Sequence, residues 1–349
     1  MPARLLAQPF AQQQQLSLSD LVAPCVLERL KVPLVSPEID KKELHTVHDH
    51  RLNFPVQNVS LGPSQLIAVS SHAGIALMSF DGNGNIVSVE TELKGVKSSS
   101  IHLFSYLARD KNTYLALAVS ELGELGDCHL RFYSLRKNAS DNGDKYGLSL
   151  RKEFCWRLEQ PVKAMASSAN GSELYLAYAR YRDIRGRVRP SRIDAIKGPL
   201  SLKPEPRYFS KLFESSHADI VSLSMLARPR HRALAVGQSD GCVHVFRPPP
   251  FSETHDAEHI EVMLKLKPST LGFREGERFP STLCFPERSL LTMGDNEGFV
   301  YELRFPDNGC ANGRNSIEIF VSSGILRGRI HALQRSTTGL IHAYSSLKR

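Results

Sequence analysis

The chain lacks any stretch approaching the roughly eighteen consecutive apolar residues of a membrane helix, so an α-helical membrane span is not expected. Motifs that mark common catalytic chemistries are missing too: no GxSxG, no HExxH, no P-loop and no GxGxxG after a strand. Nucleophilic and carboxylate catalysis therefore lack sequence support, and the expectation is a protein that is not an enzyme and carries no cofactor. The six cysteines (Cys25, Cys128, Cys155, Cys242, Cys284 and Cys310) are nowhere closer than 26 residues, which leaves no CxxC metal or redox motif. Cys128, Cys242 and Cys284 lie in or beside alternating apolar runs, where a free thiol behaves as a small buried hydrophobe. This usage suits a reducing, intracellular setting, nucleus or cytoplasm. The N-terminal MPARLLAQPFAQQQQ has no acid but only one arginine and no long apolar centre. It reads as neither a secretory signal nor a transit peptide.

What is present is an ordinary globular balance, 41% hydrophobic and 23% charged residues over 349 positions. Length alone suggests two or three domains, with closed all-β architectures the exception that runs longer as one unit. Lys and Arg total 44 against 36 acids, a formal charge of +8 that favours an acidic partner such as nucleic acid.

The organising stretch is His217–Arg247, HADIVSLSMLARPRHRALAVGQSDGCVHVFR. An alternating run, Ile220 to Leu226, is followed by a turn rich in Pro and Arg and a small-residue strand, Ala233 to Gly237. Asp240-Gly241 then turns the chain into Cys242 to Phe246. Asp-Gly between two alternating runs is a strong hairpin signal, because both turn positions favour positive φ. The stretch resembles one blade of the WD-repeat family, with Phe246 where that family usually places tryptophan. By that resemblance His217, Asp240, Gly241 and Phe246 hold the blade together and do not act on a substrate.

The unit recurs. First strands are expected to start near residues 56, 101, 162, 220, 281 and 330, some 45 to 61 residues apart, the span of a propeller blade with enlarged loops. Ala73-Gly74 and Glu297-Gly298 occupy the place of Asp240-Gly241. The expected fold is all-β, a WD-repeat-like propeller of six or seven four-stranded antiparallel blades over residues 54–349. Most copies lack the Trp-Asp ending, and the last stops after two strands. Residues 1–53 read as an arm, partly flexible around Gln12 to Gln15, which could supply closing strands through Val26–Val35 and Glu43–Leu52.

The sharpest charge feature is Arg180 to Arg192, RYRDIRGRVRPSR. Its six arginines (Arg180, Arg182, Arg185, Arg187, Arg189 and Arg192) and one acid, Asp183, give a local charge of +5. In the blade register it follows the second strand of the third copy, placing it in a loop at one rim. Arginine grips phosphate and carboxylate with a planar fork, and Tyr178 and Tyr181 could stack on a base or an arginine. A solvated basic loop, a nucleic-acid backbone contact and an acidic protein partner are the three readings open to it. RDIRGRVRPSR also resembles, over those eleven residues alone, the propeller subunits of tRNA guanine-N7 methyltransferases.

Two other signals are weaker. His45, His48 and His50 invite a metal reading, but on a strand 48 and 50 share a face that 45 does not, and no metal is expected. Phe246-Arg247-Pro248-Pro249-Pro250-Phe251 is a stiff extended segment, read as a bridge between blade strands.

WD-repeat proteins act mainly as interaction platforms, so the resemblance implies a non-catalytic scaffold subunit of an intracellular multiprotein complex. The alternative is an RNA-contacting accessory subunit of an RNA-processing or tRNA-modifying complex, using the Arg180–Arg192 loop. Partners are expected to be protein subunits, with RNA or an acidic protein at that loop and no membrane.

Overall fold

A computed structural model describes Ala3–Arg4, Arg51–Leu52 and residues 56–346 apart from the segments 63–65, 73, 81–85, 108–111, 124–126, 139–144, 183–184, 201–208, 227–231, 249–257, 267–277, 288–289, 305–317, 322–327 and 336–340. The expected arm therefore lies outside the described residues except for two short strands. So do the histidines at 45, 48 and 50 and most of the proline segment. The chain divides into two compact units, one containing His50–Ser216 and the other His217–Arg349.

In the first unit, β1 (Ala3–Arg4) pairs with β2 (Arg51–Leu52). A four-stranded antiparallel meander follows, β3 (Asn58–Leu61), β4 (Leu66–Ser71), β5 (Gly74–Phe80) and β6 (Ile86–Lys94). The second meander is β7 (Ser98–Leu107), β8 (Thr113–Leu122), β9 (Cys128–Asn138) and β10 (Lys145–Leu158). The third begins with β11 (Val162–Ser167) and β12 (Glu173–Tyr178). A two-stranded ribbon, β13 (Tyr181–Arg182) and β14 (Val188–Arg189), interrupts it before β15 (Ser191–Lys197) and β16 (Phe209–Ser215) complete the sheet.

The second unit holds the meander β17 (Ile220–Met225), β18 (Leu234–Gln238), β19 (Cys242–Arg247) and β20 (Glu258–Lys265). Next comes β21 (Pro280–Glu287), β22 (Leu290–Asp295), β23 (Val300–Arg304) and β24 (Glu318–Val321), then a two-stranded sheet of β25 (Arg329–Arg335) and β26 (Ile341–Ser346). The fold is an all-β propeller with five four-stranded blades among the described residues. First strands start at 58, 98, 162, 220, 280 and 329, within three residues of the positions read from the sequence.

Period-2 alternation explains why these strands sit between neighbouring sheets. On β8, Leu117 and Val119 join Leu66, Ala68, Ile75 and Leu77 of the preceding blade. The intervening Ala116 and Ala118 face the other way, into a cluster with Leu174, Leu176 and Tyr178 of β12. Each inner strand thus buries both faces, and β4 and β12 are buried at every position. Each fully buried Leu, Val or Phe contributes about 1.5–3 kcal/mol.

Serines tie successive blades together. Ser60 Oγ accepts from Leu103 N at 2.8 Å and Ser120 Oγ from Val162 N at 3.3 Å in the first unit. In the second, Ser222 Oγ donates to Pro280 O at 2.7 Å and Ser281 Oγ to Ile330 O at 2.6 Å. Strands meeting this closely leave no room for a side chain: a Cβ on Gly294 would lie 2.7 Å from Ile330 Cγ2.

Candidate functional site

The arginine run forms the ribbon β13–β14, which projects from the third blade between β12 and β15. Tyr181 pairs with Arg189 and Arg182 with Val188. Directly opposed residues share a face, so Tyr181 and Arg189 point one way and Arg182 and Val188 the other. Gly186, at φ 75° with nothing near its Cβ position, supplies the left-handed turn. Arg180, Arg182, Arg185, Arg187 and Arg189 are all exposed, and the ribbon also exposes Tyr181 at 39% and Val188 at 54%.

Arg192 behaves differently. Ser191 Oγ donates to Tyr178 O at 2.6 Å, closing the base of the ribbon, and Arg192 lies on β15 opposite Tyr178. Its guanidinium sits 5.0 Å from the Tyr178 ring centroid, with Asp194 at 3.3 Å and Glu159 at 3.6 Å. Tyr178 itself is buried, which pushes its phenol up. Of the six arginines, five stand on the ribbon and one is folded into the sheet. Of the two tyrosines, only Tyr181 is open to a ligand.

The Tyr181–Arg189 face lines a cleft of about 430 Å³. Asp127, Cys128, Arg157 and Leu158, from the adjoining ends of β9 and β10, line it as well. So do Glu159 and Gln160, the link that carries the chain from the second blade to the third. Cys128 and Leu158 belong to the core between those blades. Burial, then Asp127 beside it, pushes the Cys128 thiol up and keeps it protonated. Arg157 meets Asp127 at 2.9 Å. Gln160 is 3% exposed, and neither its Nε2 nor its Oε1 has a hydrogen-bond partner. An amide left unbonded in this way costs about 1–3 kcal/mol. The sequence reading missed Asp127, Arg157, Glu159 and Gln160; the only signal was the polar cluster of Arg157, Glu159 and Gln160 before Pro161.

The residues expected to hold the fourth blade divide. Asp240 Oδ1 accepts from Cys242 N at 3.1 Å, and Gly241 at φ 88° brings its backbone against Leu266 O and Arg278 O. Phe246 is buried, its ring 6.0 Å from that of His244. His217 is exposed at the bend before β17, where Asp219 and Ser239 make the reciprocal bonds that close the turn. His244 of the same blade is buried, its Nε2 2.7 Å from Gln238 Oε1.

The fifth blade contains a buried ionic cluster that the sequence did not announce. Asp295 Oδ1 accepts from the backbone N–H groups of Glu297 (2.9 Å), Gly298 (2.8 Å) and Phe299 (2.9 Å), and Oδ2 accepts from Tyr301 Oη at 2.9 Å. Arg278 Nε lies 3.5 Å from Asp295 Oδ2 and donates to Glu297 Oε2 at 2.9 Å, its guanidinium 5.0 Å from the Phe299 ring centroid. Burial pushes the Asp295 carboxyl up to about 6, against the pull of its backbone donors and Arg278. Every polar partner here comes from the blade itself or Arg278, so the cluster serves the fold. Among the described residues, no group of three or more His, Cys, Asp or Glu side chains could hold a metal ion.

No family model matches the chain, and no curated protein matches it either.

Proposed function

We propose that this propeller is a WD-repeat-like, non-catalytic interaction subunit of an intracellular multiprotein complex, with the β13–β14 ribbon as its principal docking element. The observation that carries the reading is the concentration of five exposed arginines, an exposed tyrosine and an exposed valine on one short ribbon anchored to a rigid sheet. Loops on rigid scaffolds are where binding residues gather, and arginine and tyrosine are the residues enriched at binding hot spots. Purification of the tagged protein under native conditions tests this. Stoichiometric protein partners are expected, and replacing Arg185, Arg187 and Arg189 by alanine should release at least one. Recovery of the bare chain across salt conditions contradicts the reading.

A second reading is favoured by one specific feature. Tyr181 and Arg189 share the face of the ribbon that lines the cleft, an aromatic platform beside a phosphate-binding fork. That pairing supports an RNA-contacting accessory subunit. The same triple variant should then lose RNA retention, and absence of RNA binding by the unaltered protein overturns it.

A further inference from the structure

Resting on the RNA-contacting reading, we infer that the cleft beside the ribbon takes one unstacked base of a single strand, while the flanking phosphates lie on the outer arginines. The argument begins with charge. The cleft is lined by two cations, Arg157 and Arg189, and two anions, Asp127 and Glu159. Outside it, Arg180, Arg182, Arg185 and Arg187 outnumber the single acid of the run, Asp183, and leave the ribbon net positive. A polyanion suits the rim better than a cleft half of whose charged lining is carboxylate. An acidic peptide seated in the cleft would set its own carboxylates against Asp127 and Glu159. A nucleic-acid strand separates its charge in the matching way, with anionic phosphates along the backbone and neutral aromatic bases held off it.

The shape and the polar groups agree with that division. About 430 Å³ lies in the range of sites that bury a small ligand. Tyr181 offers a stacking face at the mouth, and stacking tolerates any base. The polar lining is less tolerant. Asp127 accepts from Arg157 and Glu159 lies 3.6 Å from Arg192, and a carboxylate keeps lone pairs beyond one such contact. Gln160 holds a carbonyl oxygen and an NH₂ group that bond to nothing in the structure. Asp127 and Glu159 can only accept and so favour exocyclic amino groups, which adenine, cytosine and guanine carry and uracil lacks, while Gln160 both donates and accepts. The bound base is therefore an amino-bearing one.

The test is fluorescence anisotropy of the full chain with twelve-nucleotide single-stranded RNAs: oligo(A), oligo(C), oligo(U), and an oligo(A) whose central positions are abasic. Oligo(A) and oligo(C) should bind several-fold tighter than oligo(U) or the abasic strand. Tyr181→Ala should cost oligo(A) about tenfold and the abasic strand little, since one stack is worth about that factor. Asp127→Asn, which replaces an acceptor-only group by one that also donates, should narrow the preference for A and C over U. Replacing Arg182, Arg185 and Arg187 by alanine should weaken every strand alike. Thermal melts of each variant confirm folding, and Tyr181, at an exposed position, should melt as the unaltered chain does. Base-blind binding with Tyr181→Ala silent overturns the base cleft and leaves the RNA reading standing. Failure of all strands to bind overturns both, and tighter binding of an oligoglutamate peptide does so while making the ribbon a site for acidic protein.

Discussion

Replacing Asp295 by alanine should destabilise the second unit by about 3–5 kcal/mol, a large effect for a side chain at a turn. Oδ1 satisfies three backbone N–H groups within 2.9 Å, two of them buried, and Oδ2 satisfies Tyr301 Oη. Alanine leaves those donors unmet at about 1–3 kcal/mol each, with partial rescue by relaxation and water. It also leaves Arg278, 2% exposed, with Glu297 as its remaining carboxylate; removing one member of a buried ion pair typically costs about 3–5 kcal/mol. Urea unfolding followed by circular dichroism measures the change. Asp295→Asn, which keeps one acceptor oxygen, should cost less than half as much. The cluster has a pH signature as well. Its carboxyl titrates near 6 in the fold and near 4 when unfolded, so between those values the native state holds a proton the unfolded state has released. This contribution to stability is present below pH 4 and is lost as pH rises through 6, and the asparagine variant should lack it. An Asp295→Ala variant within 1 kcal/mol of the unaltered chain would refute the reasoning.

Three further outcomes are expected. His102, stacked on Phe104 and 3.0 Å from Ser167 Oγ, is pushed down to about 4 by burial. The unfolded chain therefore binds the extra proton first, and about 2 kcal/mol of stability should be lost as pH falls from 6.5 to 4. His102→Gln should flatten that slope when the two are compared over the same window. Gly294→Ala forces a Cβ to 2.7 Å from Ile330 Cγ2 and should cost about 1–3 kcal/mol by thermal denaturation; a neutral result means that β25 yields freely. In native alkylation mapped by mass spectrometry, exposed Cys155 should react while buried Cys128 stays unmodified until the protein unfolds, and equal rates would contradict the packing between the second and third blades.

The blades were legible in the sequence because their signals are local. Alternation at period 2 and a glycine at each tight turn, Gly74, Gly241 and Gly298, mark a hairpin without knowledge of its surroundings, and all three carry positive φ. β15 was hidden for the opposite reason. Arg192 and Asp194 pair with each other on one face of that strand, Asp194 buried, so in sequence their charges read as a continuation of the loop while Ile193 and Ala195 pack on the other face. Long-range features were not legible at all. Arg278 meets Asp295 across seventeen residues, and the cleft joins the ends of β9 and β10 to a ribbon on the next blade. Only register brings Tyr181 and Arg189 to the same face. The run of arginines gave the charge of the site; the pairing of its strands decides which side chains line the cleft.

The docking role of the ribbon is tested most directly by the salt dependence of binding to a single-stranded RNA. With the unaltered chain, the logarithm of affinity should fall linearly with the logarithm of salt concentration. Replacing the outer arginines Arg182, Arg185 and Arg187 by alanine should reduce that slope by about 2, since each phosphate contact on a single strand contributes about 0.7. An unchanged slope in the triple variant would remove the ribbon from the interface.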